Sequence, residues 1–568
     1  MPGGRRRTRR LLVVLPPVLL IAMAVQLVGE AWGDSLTFDE ARYIQTGTCA
    51  LSTGTIDLEI SNPPGHKLLA GAGVKLSGQP PAGSCADVAG FFPSEPGRLR
   101  RLILAARIPQ MVLGVLLGLV VFLWSRALYG AVPGVLALAI VAFEPTLLGH
   151  AHLVTGDAAM SLGLVTCLAA HWAWGRGRRR RWLVVAGLAL GWGLLTKPTI
   201  LVVLPALVVV EMMAGSGSVR TRLRRALPSI SVMAAVAWGL VCLVYMPFRQ
   251  SHHDWSTPLA WIAPPSWFAS LADAAHSARG AGHVNYLNGV ITPAGEPFRW
   301  YFVEALALKT TIGLLALAVL AGILTIRRRD AAAAAYLWLP IGLVVTAATA
   351  GAVDVGVRYV LPAYPLMAVL AASAVMHARG VRRLQWAVVG IAAVSALVSS
   401  VAHFPRHLGY FNEAAGDRPE HYLSDSNIDW GQDAWRLRDW WEARGRPTLS
   451  LAYFGPLSLQ HYGIAGSDVS AGTHAVRGLL VVSITRLTVT GDDTHFPYAG
   501  HPYLALQQRT PLDRVGTSMV VYDMDRLGRG VGGVLIVSCG AGAPCPPAGW
   551  RLLAGEARDW RGRHRGLP

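Results

Sequence analysis

Charge is scarce in this sequence, and acidic charge is scarcer than basic: 33 Asp and Glu stand against 51 Lys and Arg among 568 residues. Charged residues make up 15% of the chain, where a soluble domain carries about a quarter. That shortage, with 53% hydrophobic residues, excludes an ordinary soluble fold and implies a polytopic membrane protein. Cysteine is also sparse: the chain holds 6 and no CxxC pair, so a thiolate zinc site is excluded. There is no Gly-rich phosphate loop and no GxGxxG after a strand-like run, so nothing points to a bound nucleotide. The net charge of +18 would suit nucleic acid if it were spread over a domain. The arginines instead come in short clusters between apolar runs, as membrane topology produces, and no nucleic-acid partner is expected.

What is present is a series of apolar runs. The first, Leu11 to about Gly29, follows five arginines and is close to the length that crosses a bilayer. It reads as a retained span rather than a cleaved signal, since no small-x-small cleavage site follows. Further runs lie at Leu102–Trp124, Val132–Phe143, Ala158–Trp174, Trp182–Leu195, Ile200–Met213, Ile230–Met246, Trp300–Ile326, Ala331–Ala350, Tyr359–Met376 and Trp386–His403. These predict about eleven transmembrane helices. The clusters at Arg5–Arg10, Arg176–Arg181, Arg220–Arg225, Arg327–Arg329 and Arg379–Arg383 then share one side, the cytoplasmic one. The expected organisation is a multi-pass domain over residues 1–403, with a first outer loop at about 30–101. An extracytoplasmic α/β domain over 404–568 follows. Cys49, Cys85, Cys539 and Cys545 fall on the outer side, where Cys49 with Cys85 and Cys539 with Cys545 are candidate disulfides.

This topology gathers polar motifs on one face. Thr37–Tyr43, TFDEARY, opens the first outer loop with Asp39 and Glu40; SNPPGHKLLAG in the same loop brings His66 and Lys67. GHAHLVTGDAA contributes His150, His152 and Asp157, LLTKPT contributes Lys197, and DVGVRYVLPAYP contributes Asp354 and Arg358. Singly, a lysine or arginine at a span end is as often a snorkelling side chain as a ligand. Together, carboxylates and cations at an outer membrane surface suit sugar transfer from a polyprenyl phosphate: cations neutralise the leaving phosphate and an Asp deprotonates the acceptor hydroxyl. Glu304 and Lys309 fall within one predicted span, where they either line a polar cavity or mark an interface.

The ordered set TFDEARY, NPPGHK, HLVTGD, LTKPT and GVRYVLPAYP resembles the GT-C glycosyltransferases of the protein O-mannosyltransferase and lipid A aminoarabinose transferase group. In the tail, GYFNEAAG and YLSDSNIDWGQD look like bacterial members known as phospholipid carrier-dependent glycosyltransferases, and the match runs to about Tyr522. The resemblance implies a GT-C fold and a polyprenyl phosphate-linked sugar donor, mannose-like, with inversion at the anomeric carbon. It implies Asp39 as the base, Glu40 as its acidic neighbour and Asp157 as the second acidic position. His66, Lys67 and Arg358, with Lys197 on its outer turn, are the candidates for the carrier phosphate. No cofactor is expected; a divalent cation is left open. The acceptor is a protein, lipid or polysaccharide hydroxyl, with membrane lipid as the surroundings. Two departures stand out: there is no β-trefoil insertion, and a Gly, Pro and Cys stretch at Gly78–Asp87 has no assigned role.

In the tail, Asp425, Asn427, Asp429 and Trp430 crowd into one segment suited to an acceptor glycan or a cation, or simply to turns and caps. Strand-like runs follow at Leu449–Phe454, Gly478–Ile484, Met519–Tyr522 and Gly533–Ser538. A transporter or flippase would also place ionisable groups in spans, but it should show inverted repeats with midplane charges, and none is found. A non-catalytic scaffold with an outer sensor domain leaves the converging charges unexplained.

Overall fold

The computed structural model describes residues 2–214, 218–249, 262–280, 283–328, 330–376, 382–470, 473–489, 503, 506–527 and 534–537. Cys539, Cys545 and the GDDT turn at 491–494 lie outside the described residues.

The first helix, α1 (Pro2–Gly33), displays its membrane character as a stripe. Val14, Val18, Ile21, Val25, Val28 and Trp32, spaced three or four apart, are all more than half exposed. Met23, Leu27 and Glu30 on the other face are fully buried. An apolar stripe at helical spacing on the outside of a protein is stable against lipid, not water. Ile391, Val394, Val398 and Val401 form a second such stripe on the helix Arg382–His403.

Among the described residues, four helices are long and apolar enough to cross a membrane: Leu11–Gly33, Pro96–Tyr129, Gly156–Gly177 and Val219–Tyr245. Two bent pairs, Ala131–Ala142 with Pro145–Ala151 (65°) and Tyr301–Lys309 with Ile312–Arg327 (118°), raise the number to 6. The remaining apolar runs include helices of 10–17 residues such as Pro198–Met213 and Ala363–Ala374. Among the described residues, four to six helices thus have full span length, and other apolar runs form shorter helices. A run of apolar residues does not reveal where tertiary contacts break it. Trp300–Ile326 is the clear case: the chain turns at Thr310, whose backbone is extended. Lys309 is there buried and bonded to the carbonyls of Leu408 (2.9 Å) and Asn427. Glu304 does not meet it; Asn288 Nδ2 donates to Glu304 at 3.2 Å.

Two short helices follow α1, α2 (Phe38–Thr53) and α3 (Gly65–Leu76). They touch backbone to backbone: a Cβ at Gly47 would lie 1.8 Å from the Lys67 carbonyl. Only glycine permits that approach. Cys49 of α2 is disulfide-bonded to Cys85, one of the two expected pairs. Beyond them run α4 (Val88–Phe91), α5 (Pro96–Tyr129), α6 (Ala131–Ala142), α7 (Pro145–Ala151) and α8 (Gly156–Gly177).

Past Ser277 comes a hairpin, β1 (Asn285–Leu287) and β2 (Val290–Thr292), turned by Asn288 and Gly289 at φ 52° and 77°. This is the Asn-Gly pairing that tight hairpins favour. The tail adds β3 (Leu449–Ala452), β4 (Ser467–Asp468), β5 (Thr473–Val476), β6 (Leu479–Ser483), β7 (Asp513–Val515), β8 (Met519–Asp523) and β9 (Val534–Val537). Five of them make a mixed sheet in the order β4-β3-β6-β8-β7, and β5 pairs with β9. Each of the four strand-like runs in the tail contains a strand.

The tail is not remote from the start of α2. Ser35 N–H donates to the Gln432 carbonyl (2.8 Å) and Phe38 N–H to that of Trp430 (2.9 Å). Ser35 Oγ in turn accepts from Ala434 N–H (2.9 Å). Residues 430–434 thus lie directly against the stretch that carries Asp39.

Candidate active site

Helix α2 begins where it does because Thr37 is extended and Glu40, three residues on, reaches back to accept its N–H at 3.0 Å. The same carboxylate takes Val154 N–H (2.8 Å), Arg107 Nε (2.9 Å) and Arg107 Nη2 (2.6 Å). Glu40 and Arg107 are both fully buried. Burial alone would raise the Glu40 pKa; the Arg107 guanidinium overrides it and holds the carboxyl below its ordinary range. This network ties the start of α2 to α5 and to the turn before α8.

Asp39 precedes Glu40 by about 100° of helix rotation and faces elsewhere. Its Oδ2 accepts from Arg358 Nη1 at 2.8 Å, across 319 residues of sequence. The pair is partly open, with side chains 25% and 12% exposed. Among the described residues, Asp39 has no second hydrogen-bond partner. The Arg358 guanidinium stacks 4.2 Å over the Trp430 ring. Burial would favour a neutral guanidine, but Asp39 first and Asp157 after it hold Arg358 above its ordinary pKa.

Asp157, the second residue of α8, is buried and paired with Lys197 Nζ. Lys197 in turn lies 4.7 Å over the Tyr359 ring. Tyr43, one turn after Asp39, accepts from Asn62 Nδ2 (2.8 Å) and meets the edge of His66 at 5.0 Å. Neither ring nitrogen of His66 or of His150 has a hydrogen-bond partner, and both rings are buried. Burial drives the His66 pKa well below its ordinary value, so the ring is neutral near pH 7. His150 closes the far side, its ring 6.3 Å from that of Trp430.

Of the residues expected at the site, Asp39, Asp157, His66, Lys197 and Arg358 converge, and Trp430 joins them from the tail. Two do not behave as expected. Lys67 gives its ammonium to Glu59 Oε2 (2.5 Å), the Glu59 carbonyl (3.0 Å) and the Asn62 carbonyl (2.7 Å). Its three donors are used, so it is a structural tie rather than a phosphate ligand. Glu40 is likewise saturated and buried, and anchors α2 instead of facing the cluster.

The tail acids also turn inward. Asn427 Oδ1 accepts from Val357 N–H (2.9 Å) while its Nδ2 donates to Tyr301 Oη (2.8 Å), which fastens the backbone beside Arg358. Asp429 accepts from Thr485 N–H (2.8 Å), and burial pushes its carboxyl up to about 7. Asp425 lines a small hollow with Asp354. Tyr43, Tyr359 and His150 were not singled out as ligands in the sequence. Their signal was adjacency, since each stands in a motif that supplies a charged member.

One group among the described residues has metal-ligand spacing: atoms of Glu30, Asp34 and His152 all lie within 4.8 Å of one another. The acids already have partners, Asp34 the Arg436 guanidinium at 2.7 Å and Glu30 the His407 ring at 3.1 Å. The group therefore balances its charge within the chain.

Residues 100–245, which carry α5 to α8 with Asp157 and Lys197, match the family model described as dolichyl-phosphate-mannose-protein mannosyltransferase. That matched stretch spans about a quarter of the chain. No curated protein matches the sequence. Among solved structures, it resembles ArnT from Cupriavidus metallidurans bound to undecaprenyl phosphate, at 15% identity and a TM-score of 0.47. That alignment covers 89% of this chain and 97% of that one. It also resembles the S. cerevisiae Pmt1-Pmt2 complex bound to the sugar donor, at 17% identity and a TM-score of 0.35. There 41% of this chain and 33% of that one are covered. The archaeal oligosaccharyltransferase AglB from Archaeoglobus fulgidus aligns at 14% identity and a TM-score of 0.44, over 77% of this chain and 59% of that one.

Proposed function

We propose that this protein is a glycosyltransferase that moves a sugar, mannose-like, from a polyprenyl phosphate carrier to an acceptor hydroxyl at the extracytoplasmic face, with inversion and with Asp39 as the general base. The observation that carries the reading is the Asp39–Arg358 pair at 2.8 Å, partly open to solvent. Its neighbours Glu40 and Asp157 are, by contrast, buried and held by cations.

The two ion pairs, Asp39 with Arg358 and Asp157 with Lys197, hold two cationic side chains at a largely buried site. An arriving phosphate competes for both cations, and each takes its oxygens by charge-assisted hydrogen bonds. Asp39 Oδ is then released toward the acceptor. The acceptor O–H proton passes to Asp39 while its oxygen attacks the anomeric carbon on the face opposite the phosphate. The carbon–oxygen bond to phosphate breaks with its electron pair going to the carrier. Arg358 and Lys197 neutralise the charge that develops there. His66 and His150, with both ring nitrogens unpartnered, are placed to hydrogen-bond the sugar hydroxyls or the phosphate. Trp430 and Tyr359 fix the two cations by stacking, and Glu40 acts as a positioning residue. No step in this scheme calls for a metal.

The test is transfer of radiolabelled mannose from polyprenyl phosphate mannose by membranes carrying the chain, against membranes carrying Asp39→Asn. Label moving to an acceptor only with the intact chain supports the reading. Equal transfer by both removes Asp39 from the base role.

A further inference from the structure

The arginine clusters read as cytoplasmic leave out three residues, Arg98, Arg100 and Arg101, which open α5. They stand at the end of that helix which meets the tail. The Arg100 guanidinium lies between two indoles, 4.4 Å over Trp435 of the tail helix Ala434–Ala443 and 5.0 Å over Trp32 of α1. Trp435 is buried, whereas Trp32 is more than half exposed and ends the apolar outer stripe of α1.

Helix α5 has an outer stripe of its own, Ile108, Val112, Leu116 and Leu123, each between 40% and 55% exposed. At about 100° of rotation per residue, these four fall within about 80° of one another around the helix. Arg98 and Arg101 fall in the same sector at one end of the stripe, and Arg126 at the other. From Arg101 to Arg126 the helix rises about 37 Å. A bilayer's hydrocarbon is about 30 Å thick, and about 40–45 Å with its headgroups. The guanidiniums at the two ends of the stripe therefore reach headgroup depth. Arg101 is exposed, and Arg98 partly so.

Among the described residues, neither Arg98 nor Arg101 forms an ion pair or a side-chain hydrogen bond. Two exposed carboxylates are near without closing a pair. A Cβ at Gly97 would meet both Arg101 Nη1 (3.8 Å) and Glu95 Oε1 (3.9 Å), and Asp439 attracts Arg100 from beyond ion-pair distance. The neighbouring Arg438 is taken by Glu442 at 3.3 Å. Residues three apart on a helix have Cβ atoms about 5–6 Å from each other, so Arg98 and Arg101 can hold one phosphate between them. An indole at the membrane surface, as Trp32 is, marks the same depth.

We propose that Arg98 and Arg101, with Trp32 beside Arg100, bind the headgroup phosphate of an anionic phospholipid. One lipid of the surrounding membrane is then a ligand at the seam between α1, α5 and the tail. The site is separate from the Asp39 cluster and does not depend on the transferase reading.

The experiment reads the fluorescence of Trp32 in the full chain, taken as the difference from Trp32→Phe. Micelles carry brominated phosphatidylglycerol or brominated phosphatidylcholine as the quencher. Because the difference reports on this seam alone, the arginine clusters elsewhere do not contribute. An arginine near an anionic headgroup contributes about fivefold in binding. With two, phosphatidylglycerol should quench Trp32 at about thirtyfold lower mole fraction than phosphatidylcholine. Arg98→Gln and Arg101→Gln should each remove about fivefold of that preference, and together all of it. Their melting transitions in phosphatidylcholine should not move, since neither side chain has a partner to lose. In the unaltered chain the preference should shrink as salt is raised. Equal quenching by the two lipids in the unaltered chain overturns the proposal, and so does a preference that survives both substitutions. Displacement of the brominated lipid by soluble glycerol phosphate as readily as by phosphatidylglycerol makes this a site for a soluble anion, and likewise overturns it.

Discussion

Replacing Glu40 by glutamine separates anchoring from chemistry. The substitution removes the charge facing Arg107 at a site where both side chains are fully buried. Removing one partner of a buried pair costs about 3–5 kcal/mol, because the other charge is left uncompensated. Arg107 would keep the carbonyls of Ala31 (3.1 Å), Asp34 (2.8 Å) and Ser35 (2.8 Å). The new side-chain amide would keep an oxygen for one of the backbone N–H donors. Those remaining bonds put the cost at the lower end, about 3 kcal/mol. Stabilities of folded domains run to about 5–15 kcal/mol, so the variant should fold but melt earlier.

The assay is thermal unfolding in detergent followed by tryptophan fluorescence, with transfer activity measured on the same preparation well below the transition. The account predicts a lowered transition and retained turnover. The pH dependence adds a check. The folded carboxyl titrates below its ordinary 4.5, so its contribution is present above the unfolded value and is lost as pH falls through the folded one. The unaltered protein should lose this increment in acid, and Glu40→Gln should show a flatter profile there. A variant that melts with the unaltered protein yet cannot transfer would refute the reasoning, since Glu40 would then be acting in the reaction.

Other substitutions should divide along the same line. Arg358→Lys should keep the fold but raise the KM for the lipid-linked donor, because an ammonium cannot both meet Asp39 and stack on Trp430; an unchanged KM speaks against phosphate binding there. Asn427→Leu, which releases Val357 and Tyr301, should cut turnover and lower the melting transition together, unlike Arg358→Lys. Cys49→Ser, opening a link between residues 36 apart, should cost about 3–4 kcal/mol of stability, and reductant should reproduce the shift in the unaltered protein only.

The legible part of the site was the part that charge and topology decide. Asp39, Asp157, Lys197 and Arg358 stood out because ionised groups are rare in so apolar a chain, and the spacing of the arginine clusters predicts that their loops share one side. Cys49 with Cys85 was legible for the same reason. What the sequence could not supply was direction. Asp39 and Glu40 are adjacent, and only the position of Arg107 decides which of them is buried. His66 and Lys67 are likewise adjacent, and Glu59 draws the lysine away. Helix length was equally hidden. The break at Thr310 depends on Lys309 meeting carbonyls about 100 residues downstream, which no local pattern announces. Trp430 was noticed as a possible glycan platform, and the structure places Arg358 on its face instead.

The most direct measurement is transfer of labelled sugar from a polyprenyl phosphate donor by the purified chain and by Asp39→Asn, with both shown to be folded by their melting transitions. The account predicts inverted product from the unaltered chain and a rate lower by about 100-fold to 10,000-fold in the variant. Undiminished transfer by Asp39→Asn contradicts it.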